Sequence, residues 1–196
     1  MDSNNLDTTL VVDLEATCWR DPNEKGTQES DIIEIGIAEV NVKTLSITRF
    51  EGIIVKPTKS KIGKFCTELT TLTPAYVEKN GVSFVDACKK IETFWDSSKK
   101  SWWSFGDYDR KMMFRQSARE NIKCPFSETH YNIKNLASMA LSLNKEVGLK
   151  KMLDLFKMPL EGTHHRGVDD AKNISKILIE ILKRIKTGVK NGWDYN

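Results

Sequence analysis

The stretch Leu10-Val11-Val12-Asp13-Leu14-Glu15 is a short apolar run, rich in β-branched residues, that carries two acids at its end. A polar stretch from Arg20 to Ser30 follows, so the run reads as a buried strand emptying into a loop. Ile32 to Val42 and Leu45 to Val55 are two further β-rich runs, separated by Lys43-Thr44 as in a hairpin with a tight connection, and Pro57 ends the second. The opening unit is therefore three strands, antiparallel.

From Cys66 onward the spacing turns helical. Leu69, Leu72 and Tyr76 mark a pair of short turns around Pro74, and Ser83 caps a segment whose Phe84, Ala87, Cys88, Ile91 and Trp95 recur on one face. Trp102 to Phe105 returns to strand, with the aromatic residues expected in the core rather than as stacking platforms. Gly106 breaks it, and Asp107 is the expected cap of a helix running toward Glu120 with Tyr108, Met112 and Met113 on its apolar side. Tyr131 to Ile133 is a short strand candidate; Leu136 to Leu143 and Leu149 to Phe156 are helices. The last helix spans about 168 to 186, because Val168, Ala171, Ile174, Ile177, Leu178, Ile181, Leu182 and Ile185 recur at helical spacing. Beyond Gly188 the tail reads as loose, with Trp193 and Tyr195 available to dock it. Strands followed by alternating strands and helices predict one α/β domain over residues 1–196, its core at about 8–186: a mixed β-sheet flanked by α-helices.

Composition narrows the function classes. Hydrophobic residues at 39% and charged residues at 29% fit a folded globular domain and exclude collagen-like or disordered chains. No apolar run approaches the roughly 20 residues of a membrane helix, and the start Met1-Asp2-Ser3-Asn4-Asn5 lacks signal-peptide character, so a cytoplasmic protein with no membrane partner is expected. Cys18, Cys66, Cys88 and Cys124 show no C-x-x-C spacing and read as free thiols. Residues 1–31 hold eight acids against Arg20 and Lys25, so this segment carries −6 and the remainder +9 of the net +3. An acidic patch in a basic body suits a polyanion held beside cations. Lys56, Lys59, Lys61 and Lys64 add a basic stretch able to track phosphates or simply to face solvent.

Five residues carry the chemistry. Asp13 and Glu15 lie two apart on a strand, so both carboxylates project from one face, with Cα atoms roughly 6.6 Å apart. Two like charges held there repel unless a cation sits between them. In His164-His165-Arg166-Gly167-Val168-Asp169-Asp170, at about 100° per residue, Asp170 shares the buried helix face with Ile174, Ile177 and Ile181, whereas Asp169 lines up with Asn173, Lys176 and Glu180 on the wet face. A carboxylate on the apolar face must be paired or bound to metal. Asp109 follows a strand end, where α/β sites cluster, and has no obvious structural task once Asp107 caps the helix. His165, five residues before Asp170, is placed to take a proton from water near neutral pH. Converging carboxylates make a hard-oxygen site for Mg²⁺ or Mn²⁺, and two such ions about 4 Å apart clamp the attacking and leaving oxygens of a phosphoryl transfer.

The order D-x-E, Tyr-Asp after a strand, and H-x-x-x-x-D resembles the DEDDh class of 3′-to-5′ exonucleases, which have the ribonuclease H-like fold. The strings Val12 to Trp19, Leu69-Thr70-Thr71-Leu72-Thr73, Ser104 to Asp109 and His165 to Ile174 are similar to the Eri-like subgroup, which includes the histone-mRNA 3′ exonuclease and KapD-like proteins. The resemblance covers about residues 8 to 184. It implies metal binding by Asp13, Glu15, Asp109 and Asp170, two ions per site, and a general base at His165, with Glu15 and His165 as the catalytic pair. It also implies that Ala16, Thr17, Leu72, Tyr108 and His165 meet the terminal nucleotide, with Leu72 wedged beside its base. Thr71 stands where members of the subgroup commonly have glycine, and His164 is an additional histidine. The implied activity removes nucleoside 5′-monophosphates from a single-stranded 3′ end or a short 3′ overhang, RNA being favoured over DNA. The rival class, a catalytically silent nucleic-acid-binding module of the same fold, requires a missing acid, and none is missing. The phosphate-loop, nucleophile-elbow, H-E-x-x-H and G-x-G-x-x-G strings of unrelated enzymes are absent.

Overall fold

A computed structural model of the chain describes residues 7–191. The first strand, β1 (Thr8–Ala16), pairs antiparallel with β2 (Ile32–Asn41), which pairs antiparallel with β3 (Ser46–Ile54). On its other side β1 runs parallel to β4 (Trp102–Ser104), and β4 parallel to β5 (His130–Asn132), so the five strands stand in the order β3-β2-β1-β4-β5. The expected mixed sheet with three antiparallel opening strands is what forms. The hairpin connection is longer than Lys43-Thr44, however. Asn41 ends the ladder opposite Ser46, and its side-chain oxygen accepts the N–H groups of Lys43 and Thr44, while Leu45 takes a φ of 57°.

Among the described residues eight α-helices accompany the sheet: α1 (Pro22–Lys25), α2 (Lys64–Thr70), α3 (Pro74–Asn80), α4 (Phe84–Trp95), α5 (Tyr108–Arg119), α6 (Ile133–Ala140), α7 (Leu149–Leu155) and α8 (Gly167–Asn191). α1 falls inside the stretch expected to be loop. Asp21 accepts the Asn23 N–H at 2.8 Å and Pro22 pre-sets the first helical φ, so one turn forms there. Asp107 sits at the start of α5, but its side chain makes no capping bond; Thr73, Ser83 and Asn132 do cap their helices. Trp193 and Tyr195 lie outside the described residues. Among the described residues no helix is long and apolar enough to cross a membrane.

Strand periodicity divides the core in two. Leu10, Val12, Leu14 and Ala16 point from β1 into a cluster with Ala87, Ile91, Trp95, Met112 and Met113 of α4 and α5. Val11 points the opposite way, into the layer that α8 forms with α6 and α7 through Ile133, Met152, Ile174 and Ile177. Asp13 and Glu15 continue the Val11 face, beneath the start of α8. Two glycines let that helix approach: a Cβ on Gly36 would lie 1.9 Å from the Gly167 carbonyl oxygen, and one on Gly167 would lie 3.0 Å from the Gly36 nitrogen.

Asn173 departs from the helical wheel. It is fully buried, because the segment around Glu161 folds over this side of α8, where the Asn173 amide donates to the Glu161 carbonyl at 2.8 Å and accepts the Glu161 N–H at 3.1 Å. Thr71 closes α2 with a φ of 63°, a left-handed conformation that a β-branched residue adopts at a cost. Thr71→Gly is expected to stabilise the fold by about 0.5–1 kcal/mol, the left-handed penalty less the entropy of glycine. A urea midpoint that stays put or falls would show that the Thr71 side chain offsets its own strain.

Candidate active site

Four carboxylates from three segments meet at the end of β1. One oxygen each from Asp13, Glu15 and Asp170 can be chosen so that all three lie within 4.8 Å of one another. Glu15, Asp109 and Asp170 are buried, and Asp13 is partly so. The fourth acid, Asp109, is held by the local failure of sheet pairing. β4 pairs with β1 only at Leu10 and Val11, so the Leu14 N–H is left without a strand partner and donates instead to Asp109 Oδ1 at 2.9 Å. Asp109 thus faces β1 from the first turn of α5.

The electrostatics show what the arrangement lacks. Burial, then repulsion from Asp109, Glu15, Asp170 and Glu34, pushes the Asp13 carboxyl well above its ordinary range. Burial, then Asp170, Glu34 and Asp109, pushes Glu15 up to about 8, and burial raises Asp109 to about 6. A carboxyl raised as far as that of Glu15 has too little positive charge beside it to be fully ionised at neutral pH. The donors are all hard oxygens, the kind that Mg²⁺ and Mn²⁺ take, so a divalent cation fits.

The histidine loop closes over this cluster. His165 sits at φ 64°, and its backbone N–H donates to Asp170 Oδ2 at 2.9 Å. Its imidazole lies against that of His164, with ring centroids 3.9 Å apart, and burial, then His164, lowers its pKa. His164 is not a bystander: its Nδ1 lies 3.0 Å from Asp170 Oδ2. Either ring can offer one nitrogen within 4.8 Å of the Asp170 carboxylate.

Glu34, not singled out in the sequence, underlies the site. It stands opposite Glu15 on β2 and is fully buried. It accepts two bonds from the Arg166 guanidinium, at 3.0 and 3.2 Å, and a third from the Gly167 N–H at 3.0 Å. The signal was a charged residue inside the otherwise apolar Ile32–Ile37. Asp31 is a second buried acid of this kind. It pairs with Arg119 and accepts the N–H groups of Thr58 and Lys59 and the Ser60 hydroxyl, pinning the basic stretch to the sheet.

The residues expected to meet a nucleotide divide by accessibility. Tyr108 is 56% exposed beside Asp109. Ala16 is largely covered, and the Thr17 hydroxyl is occupied by the Asp31 N–H and Ser60. Leu72 is fully buried with Ile33, Ile54, Cys66 and Val77, so in this conformation its side chain belongs to the core and presents no wedge at the surface.

Comparison with known proteins follows the same lines. Human ERI1 exoribonuclease 3 is 29% identical over 89% of this chain and 53% of its own length, and human 3′-5′ exoribonuclease 1 is 27% identical over 90% and 53%. The chain spans about half the length of the curated relatives it matches. The nuclease domain of 3′hExo, described as a DEDDh family member bound to rAMP, superposes with a TM-score of 0.82 at 26% identity, covering 94% of this chain and 95% of that one. E. coli exonuclease I, bound to a dT13 oligonucleotide, shares the fold with a TM-score of 0.70 at 11% identity. Residues 10–178 match the family model described as exonuclease, RNase_T, so this chain, with its acids on β1, α5 and α8 and its histidine on the loop before α8, belongs to the exonuclease family and is homologous to the DEDDh exoribonucleases.

Proposed function

We propose that this chain removes nucleoside 5′-monophosphates one at a time from the 3′ end of single-stranded nucleic acid or a short 3′ overhang, RNA in preference to DNA. The observation that carries the proposal is the convergence of Asp13, Glu15 and Asp170, from opposite ends of the chain, beneath a loop bearing His165. The names of the relatives as exoribonucleases, and a neighbour bound to rAMP, support RNA and a mononucleotide product. Asp13, Glu15 and Asp170 would hold a divalent cation, Mg²⁺ or Mn²⁺, with Asp109 and Asp13 facing a second. Ions bound there supply the positive charge that a phosphodiester needs as its pentavalent transition state forms.

The protein's own groups do the rest. His165 takes the proton of the attacking water, and the left-handed turn that donates its N–H to Asp170 fixes the loop carrying that ring. Tyr108 offers its exposed ring to the terminal nucleotide. The four cysteines are free, which suits the reducing cytosol proposed as the site of action.

A 5′-labelled single-stranded RNA incubated with the protein and Mn²⁺ or Mg²⁺ should shorten from its 3′ end in single-nucleotide steps, and a chelator should stop it. His165→Ala is expected to slow this by at least about 10²-fold. Absence of stepwise shortening by the wild type, or an unimpaired His165→Ala variant, would overturn the proposal. Rates on the matched DNA strand measure the sugar preference.

A further inference from the structure

α5 has a charge pattern unlike that of α4, the described helix of the same length. Its only acid, Asp109, is buried at the site, whereas its outer face carries Arg110, Lys111 and Arg115. Among the described residues no carboxylate lies within 4.0 Å of these three cations. The helix's fourth cation, Arg119, is neutralised by Asp31, Glu29 and Glu120. α4, by contrast, mixes Asp86 and Glu92 with Lys89 and Lys90.

An isolated helix does not favour this arrangement. Lys111 and Arg115 are four residues apart, a like-charge pair that weakens a helix by about 0.2–0.5 kcal/mol. Two aromatic residues accompany the cations: Phe114, 39% exposed, lies with its ring centroid 5.8 Å from the Arg110 guanidinium, and exposed Tyr108 begins the helix beside Asp109. From Asp109 to Arg115 the helix rises about 9 Å, the length of two to three stacked nucleotides at about 3.4 Å each.

We propose that the outer face of α5 is a rail for the substrate strand: Arg110, Lys111 and Arg115 bind the phosphates just 5′ of the terminal nucleotide, and Phe114 offers a stacking surface to the bases. The idea rests on the nuclease reading and adds where the rest of the strand lies. Continuity with the site argues for it, since the helix that positions Asp109 also leads away from it. The groove of about 410 Å³ beside α2 is a weaker rival, because its Arg20, Lys61 and Lys64 are accompanied by Glu24 and Glu68.

The test is equilibrium binding of a 5′-fluorescein oligouridylate dodecamer in Ca²⁺, read by anisotropy across a salt series. The triple variant Arg110→Gln/Lys111→Gln/Arg115→Gln should flatten the slope of log affinity against log salt by about 2, at about 0.7 per lost contact to a single strand. Affinity at 0.1 M salt should fall about 10-fold or more. The control Lys89→Gln/Lys90→Gln, on α4, should leave both unchanged. Hydrolysis of the p-nitrophenyl ester of a nucleoside 5′-monophosphate, which has no upstream phosphate, should be the same in the triple variant as in the wild type. An unchanged slope, or an equal loss in the α4 control or on the ester, refutes the rail. Wild-type binding with the expected slopes but no release of mononucleotides would refute the nuclease reading and leave the rail standing.

Discussion

Asp13→Asn is expected to lower metal-dependent turnover by about 10³-fold or more and, at neutral pH without metal, to raise the melting temperature of the protein. The activity loss follows from removing a donor shared by both cation positions, since several kcal/mol of transition-state charge stabilisation at about 1.4 kcal/mol per decade is at least a thousandfold. The stability gain has the opposite sign because Asp13 repels Asp109, Glu15 and Asp170 in the metal-free fold. Relief of about 1 kcal/mol corresponds to about 2–4 °C in a domain of this size. Metal should reverse the order. At a concentration one hundred times its dissociation constant an ion stabilises the wild type by about 2.7 kcal/mol, a gain the variant lacks.

The pH dependence carries a sign that tests the same interpretation. Glu15 and Asp109 are raised in the folded state, to about 8 and about 6, so the folded chain holds protons that the unfolded chain has released. Their contribution to stability is therefore full below the ordinary carboxylate range and is lost as pH rises through about 6 and then about 8. Metal-free protein should melt progressively lower across that window, with a shallower trend in Asp13→Asn, whereas saturating Mn²⁺ should abolish the decline. Thermal melts from acidic to mildly alkaline pH, with and without Mn²⁺, read all of this. Metal-free stability that rises across the window, or an Asp13→Asn variant that melts below the wild type without metal, would contradict the repulsion.

Local periodicity explains which parts of the site were visible in the sequence. Asp13 and Glu15 share a face because a strand repeats every two residues, and Asp170 stands out because a helix repeats every 3.6. Partners distant in sequence were not visible. Glu34 and Asp31 show only as charges in or beside an apolar run; the Arg166 and Arg119 that pair them come from 132 and 88 residues away. A helical wheel puts Asn173 on the wet face because it carries no information on the segment near Glu161 that covers it. Resemblance implies that Leu72 wedges beside a base, while the structure turns its side chain into the small cluster around Ile33 and Cys66. The polarity of Arg20 to Ser30 hides the short α1, although Asp21-Pro22 is a cap followed by a residue pre-set for the first turn.

Glu34→Ala is expected to destabilise the fold by about 3–5 kcal/mol, because it strands the partly buried Arg166 guanidinium and leaves the Gly167 N–H without its acceptor. The melting temperature should drop by roughly 10 °C. Its catalytic consequence is separable from this loss. Replacing both charges, as Glu34→Leu/Arg166→Met, removes the pair without leaving either charge alone, and such exchanges are often neutral in stability. The double variant should therefore recover most of the lost stability. It should not recover turnover, since the loop bearing His165 would still lack the three bonds that tie Arg166 and Gly167 to β2. We expect kcat at least about 10-fold below wild type with KM little changed, the loss of a positioned group rather than of substrate contacts. Denaturation midpoints and steady-state kinetics on the three proteins distinguish the cases. A double variant with wild-type kcat would mean that Glu34 and Arg166 hold the helix without positioning the histidine, and a Glu34→Ala variant losing less than about 1 kcal/mol would mean that the contact between Gly36 and Gly167 suffices to seat α8.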